Sequence, residues 1–204
     1  MATLDDRSLD RLTGRTVDLL QTLIRNECVN DGTADSGNET RNVDVLEQVV
    51  TGPSVEVERF EPVPGRASMV ARIAGSDPDA PNLCLMGHTD VVRVHPEGWT
   101  HDPFGGELID GEIWGRGALD MKDQVAASAV AFASLWREGA RPAGDILLIL
   151  TADEEVNEDF GLSWLVKEHP ELVRADYALN EGGGERLAQL RSIAVKRVGL
   201  DAKA

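Results

Sequence analysis

Six side chains in this 204-residue sequence have the types and settings that do hydrolytic chemistry: His88, Asp90, Asp120, Glu154, Glu155 and Glu181. They lie in four short segments. These are Gly87-His88-Thr89-Asp90, Asp120 behind Gly115-Arg116-Gly117-Ala118-Leu119, Asp153-Glu154-Glu155, and Glu181 ahead of Gly182-Gly183-Gly184. Imidazole nitrogen and carboxylate oxygen are ligands that divalent zinc takes at roughly 2.0–2.2 Å. Two such cations about 3.5 Å apart repel, so a carboxylate must be shared between them. A further carboxylate must stay off the metal to move protons. In His88-Thr89-Asp90 the two-residue spacing lets the carboxylate support the neighbouring ring, as the partner of a metal-bound imidazole usually does. Glu154 and Glu155 are adjacent and point different ways, so one can bind metal while the other faces the reacting water.

The elements that must position these groups follow from hydrophobic spacing. Leu9, Leu12, Thr16, Leu19, Leu20 and Leu23 predict an amphipathic helix over about 8–25. The stretch Asn26–Asn38 is rich in Asn, Asp, Gly and Ser and reads as a loop. Val43, Leu46, Val49 and Val50 mark a second helix, stopped by Gly52-Pro53. Short strands are expected at 55–58, 69–73, 83–86, 113–114 and 177–179, and a fully apolar one at 146–150, of the kind buried on both faces of a sheet. Helices are expected over about 120–136 and around Leu162, Leu165 and Val166. Strand and helix alternate after residue 80, which argues for an α/β fold: a three-layer α/β/α sandwich on a mixed, mostly parallel sheet. Three of the four clusters then lie just past the carboxyl ends of strands, and Asp120 lies at a helix N-terminus. That edge is where ligands bind in open α/β sheets.

The order HxD, GRGxxDMK, a DEE triplet and EGG, with Trp99, Asp102-Pro103-Phe104 and Gly111 between, resembles one family over nearly the whole chain. It is the zinc exopeptidase and deacylase family of acetylornithine deacetylase, succinyl-diaminopimelate desuccinylase, aminoacylase and glutamate carboxypeptidase. The resemblance is densest from Asn82 to Gly184. It implies two zinc ions, with cobalt as a substitute. His88 and Glu181 would bind one zinc, Glu155 the other, and Asp120 would bridge both. Asp90 would orient His88, Glu154 would act as general base and acid, and the Asp120–Met121 peptide would be cis. Metal-assisted cleavage of an amide or peptide bond beside a free carboxylate is the activity implied, with a small acylated amino acid or short peptide as substrate. The sequence departs from the family in having no histidine after His169. It is therefore expected to be the N-terminal part of the catalytic domain over residues 1–204. The lid and dimerisation domain and the C-terminal catalytic segment would be absent, and the second zinc site incomplete. Two rival readings stand beside this one: a metal-binding fragment without turnover, and an aminopeptidase on a related two-zinc fold.

Composition narrows the partners. The net charge of -16, from 36 acidic against 20 basic residues, repels nucleic acid and anionic lipid. No apolar run approaches the roughly 20 residues that cross a bilayer, and Met1–Asp10 does not read as a signal peptide, so a cytoplasmic location is expected. Cys28 and Cys84 have no CxxC partner, so any metal must be held by nitrogen and oxygen. His95, His101 and His169 read as ordinary surface or loop histidines.

Overall fold

The computed structural model describes residues 5–181. Gly182–Gly184 of the fourth cluster lie outside them. Twelve elements succeed one another: α1 (Asp6–Arg25), α2 (Thr40–Val50), β1 (Glu56–Phe60), β2 (Ser68–Ile73), β3 (Leu83–His88), a 3-10 turn (Pro96–Gly98), β4 (Glu107–Ile109), β5 (Glu112–Trp114), α3 (Lys122–Arg137), β6 (Ile146–Thr151), α4 (Leu162–Glu168) and β7 (Tyr177–Leu179).

Five strands form the main sheet in the order β1-β2-β6-β3-β7. β3 pairs parallel with both β6 and β7, while β2 is antiparallel to β1 and to β6. Four strands therefore run one way and β2 alone is reversed. β4 and β5 form a separate antiparallel hairpin.

β6 shows why the sheet needs a layer on each face. Side chains alternate across a strand, and all of β6 is apolar up to Thr151. Leu148 and Leu150 enter a core with Leu23 and Ile24 of α1, Leu46 of α2 and Phe132 of α3. Leu147 and Ile149 face the other way, packing with Cys84, Met86 and Leu165 of α4. Three helices thus cover one face and α4 the other.

Helix α1 starts where the Asp5 carboxylate accepts the Ser8 N–H at 2.8 Å, an N-cap contact that satisfies an otherwise orphaned donor. Its C-terminus is tied to the rest of the molecule by Lys122. This fully buried ammonium donates to the carbonyls of Leu23 (2.9 Å) and Glu27 (2.8 Å). A cation there suits the negative end of the helix dipole. Because Lys122 opens α3, the same contact fixes the segment that carries Asp120.

Two expectations shift in detail. Helix α3 begins at Lys122 rather than Asp120, because the Lys122 N–H bonds the Gly117 carbonyl (2.9 Å) and closes a turn ahead of the helix. Cys28, expected in a polar loop, is fully buried, and burial pushes its thiol up to about 11.

Candidate metal centre

Parallel pairing brings the clusters together. His88, the last residue of β3, pairs with Thr151, the last of β6. On its other side β3 pairs with β7 through Leu85 and Leu179, so Glu181 emerges beside His88. The chain after β6 turns through Asp153, Glu154 and Glu155 over the same edge. The Asp120–Met121 peptide is cis, and Asp120 reaches in from the turn before α3.

His88 is the hub. Its Nε2 lies 3.2 Å from Asp120 Oδ1, 3.6 Å from Glu154 Oε2 and 3.7 Å from Glu181 Oε1. Its Nδ1 faces Asp90, 3.3 Å from Oδ1 and 3.1 Å from the backbone oxygen. Asp90 is fully buried behind the ring, and its two oxygens accept the N–H groups of Glu154 and Glu155, each at 3.1 Å. One carboxylate thus orients the imidazole and pins the turn bearing both glutamates. Two groups of potential ligand atoms lie within 4.8 Å of one another: His88, Asp120 and Glu155, and His88, Glu154 and Glu181. All six residues singled out in the sequence meet here. The grouping differs from the expected one, since Glu155 joins His88 and Asp120, and Glu154 lies beside Glu181.

The electrostatics are those of a cation site. Among the described residues, His88 is the only basic group within ion-pair distance of Asp120, Glu154 and Glu181. Burial raises Glu154 and Glu155 above the usual carboxylate range despite His88, and neighbouring acids add to it. Glu181 is pushed up to about 7, by burial first and then by Asp120 and Glu154. Burial opposes a charge on His88, but Asp90, Glu154 and Glu181 outweigh it and hold the ring at about 9. Asp90 goes the other way. Burial would raise it, yet His88, the Asn30 amide and the Glu154 N–H keep it below its ordinary value. The burial and crowding of like charge that raise Glu154, Glu155 and Glu181 are what a divalent cation relieves, and nitrogen with oxygen is a donor set that zinc accepts.

A narrow cleft between His88, Met121, Glu154, Leu162 and Glu181 opens onto this centre. A larger hollow, between Glu58, Arg72, Asp145 and Arg174, lies at the opposite end of the strands and holds none of these groups. The other histidines lie elsewhere: His101 packs edge-on against Trp114, and His169 sits against Phe60 and Trp164.

Beneath the centre is a polar network that the sequence did not advertise. Asn30, Glu39, Arg66 and Asp153 are all buried and hydrogen-bonded to one another in series. Asn30 came from a stretch read only as loop, and no local pattern marks Arg66 or Glu39.

Residues 84–199, more than half of the chain, match Peptidase family M20/M25/M40. The chain belongs to this family. A succinyl-diaminopimelate desuccinylase of Rhodospirillum centenum is 54% identical over 76 residues, 37% of this chain and 20% of the relative. One of Rhodopseudomonas palustris is 37% identical over 149 residues, 70% of this chain and 36% of the relative. The chain thus spans about a third or less of these relatives' lengths. Among solved structures, human carnosine dipeptidase 1 superposes with a TM-score of 0.69 at 22% identity, over 89% of this chain and 40% of that one. The Bacillus subtilis YXEP protein, a dinuclear metal-binding peptidase, gives 0.54 at 17% identity, over 86% and 43%. At those identities the structural likeness speaks for the α/β fold. No helix among the described residues is long and apolar enough to cross a membrane.

Proposed function

We propose that this chain supplies the metal-holding part of a hydrolase that cleaves an amide bond in a small acylated amino acid or short peptide. The observation that carries the reading is the convergence of Asp120, Glu154 and Glu181 on Nε2 of one buried histidine, with Glu155 in reach of the same ring and of Asp120, at the carboxyl edge of three parallel strands. The desuccinylase relatives favour an acyl amide over an ordinary peptide as substrate.

His88, Asp120 and Glu181 would hold one divalent ion in this chain, and Glu155 with Asp120, as the shared carboxylate, would contribute to a second in the extended one. Bound metal would supply charge that polarises the substrate carbonyl and makes a nearby water more acidic. Glu154 takes that water's proton and passes it to the departing nitrogen, a role suited to a carboxylate whose affinity for protons burial has raised. Asp90 fixes the ring of His88 and, through the N–H groups of Glu154 and Glu155, the distance between base and ligand.

The proximity of Glu154 to Glu181 and His88 supports a second assignment, in which Glu154 binds metal and Glu155 moves the proton. The test of the function is an assay with zinc or cobalt on N-succinyl and N-acetyl amino acids beside an aminoacyl amide. It should use both this chain and one extended to the length of its relatives. Cleavage of the acyl amides alone is the expected result for the extended chain. Cleavage of the aminoacyl amide alone would mean an aminopeptidase. Metal uptake without turnover by either chain would mean a metal-binding protein.

A further inference from the structure

The network under the centre converges on the turn that carries Glu154 and Glu155. Asn30 is 1% exposed, and its amide nitrogen donates to two carboxylates at once, Asp90 Oδ2 at 2.8 Å and Asp153 Oδ1 at 2.9 Å. Its Oδ1 accepts the Gly32 N–H at 3.0 Å, so the side chain cannot rotate without breaking all three bonds. Arg66, fully buried, grips Glu39 with Nε and Nη2, each at 2.9 Å. Nη2 also reaches Asp153 Oδ1 at 2.9 Å, and Nη1 donates to the Thr33 carbonyl at 3.1 Å. The guanidinium lies over the Phe160 ring, 5.4 Å from its centroid.

Asp153 is the point on which these bonds bear. Its φ is 58°, a left-handed conformation that a residue with a Cβ adopts at a cost. Its Oδ2 accepts the Phe160 N–H at 3.1 Å, and its own N–H is directed at Glu39 Oε1, 3.3 Å away. The next two residues are Glu154 and Glu155, whose N–H groups end on Asp90. The turn is therefore held from both ends by carboxylates, and Asn30 is the group that ties those two carboxylates together.

We propose that Asn30 and Arg66 are positioning residues of the metal centre, acting through Asp153 and Asp90 to set where Glu154 and Glu155 stand relative to His88. This rests on reading the site as a metal centre, and adds to it two residues that touch neither the metal ligands' side chains nor the cleft. Loss of Asn30 would leave Asp90 and Asp153 facing each other without their shared donor. Lysine in place of Arg66 keeps the charge but has no planar fork to hold Glu39 and Asp153 together.

Cobalt(II) titration of the purified chain tests the idea, because the visible bands of bound cobalt report ligand geometry without requiring turnover. Asn30→Ala and Arg66→Lys are expected to weaken cobalt binding by about 10–100-fold, the usual effect of disturbing groups behind metal ligands, and to alter the bands. Val50→Ala, in the fully buried core of α2, should lower the melting temperature while leaving affinity and bands unchanged. Folded Asn30→Ala and Arg66→Lys proteins with unaltered affinity and bands would overturn the proposal. Should Asn30→Ala not fold, Asn30→Asp, equal in shape but with at most one proton to donate, carries the same expectation and the same refutation. Failure of the unsubstituted chain to bind cobalt would overturn the metal-centre reading, and this inference with it.

Discussion

Glu154 and Glu155 are neighbours in sequence, and both have proton affinity raised first by burial. Their N–H groups end on the two oxygens of the same aspartate, so the backbone treats them alike. What separates them is the direction of the side chain: Glu155 joins His88 and Asp120, while Glu154 stands with His88 and Glu181. Substitution by glutamine keeps size and removes charge, which makes it the appropriate probe. Glu154→Gln is expected to leave metal content nearly unchanged and to lower kcat of the extended enzyme by about 10²–10⁴-fold, the usual contribution of a general base. Glu155→Gln is expected to lose metal. Metal analysis and steady-state rates on both variants check this, and exchanged phenotypes would establish the second assignment.

The elements that carry these residues differ in how tightly they are built, and two glycines show it. Gly14 lies on the exposed side of α1 with nothing within 4 Å of where a Cβ would be. Gly14→Ala is expected to stabilise the chain by about 0.5–1 kcal/mol, because alanine loses less backbone freedom in a helix. Gly161 caps α4, and a Cβ there would run into the Ala152 carbonyl, just before the Asp153–Glu155 turn. Gly161→Ala should destabilise by about 1–3 kcal/mol, as overpacking does, and reduce metal affinity as the turn shifts. Thermal melts of both variants decide the matter, and a neutral Gly161→Ala would mean that α4 is loosely docked. The same contrast explains what was legible beforehand. Helices α1, α2 and α3 announce themselves by 3.6-residue spacing, and β3 and β6 by short apolar runs, so the edge bearing the four clusters could be read from the sequence. β4 could not, since its three residues Glu107–Ile109 are half-buried or exposed and pair only with β5. The Asn30–Asp153 and Arg66–Asp153 contacts join residues 123 and 87 positions apart, and no local period encodes such a meeting.

Across the whole molecule, the raised acids make stability, metal and pH one problem. Burial pushes Glu39 up to about 7 against the pull of Arg66, and Glu181 reaches about 7 as well, from an ordinary 4.5. Between those values the folded chain holds more protons than the unfolded one, so stability is full below about 4.5 and is lost as pH rises through 7. His88, raised to about 9 from 6.5, acts with the same sign at higher pH. Lys122, lowered to about 8 by burial, acts oppositely only above that pH, and Asp90 only below its ordinary 3.8. In a chelator, the chain is therefore expected to melt at a higher temperature at pH 5.5 than at pH 8. A rise with pH would contradict these shifts. Zinc should reverse the order, because it replaces the protons. Saturation at about 100 times Kd adds about 2.7 kcal/mol, or roughly 5–10 °C for a domain of this size. The four histidines of the sequence limit how much metal does this. His88 alone is at the centre, so a second ion would have only carboxylates, where three protein ligands of mixed type are usual. Elemental analysis after dialysis is expected to give closer to one zinc per chain than two. Two tightly held ions would show that carboxylates suffice, and a chain with none and no zinc-dependent melting shift would remove the metal centre altogether.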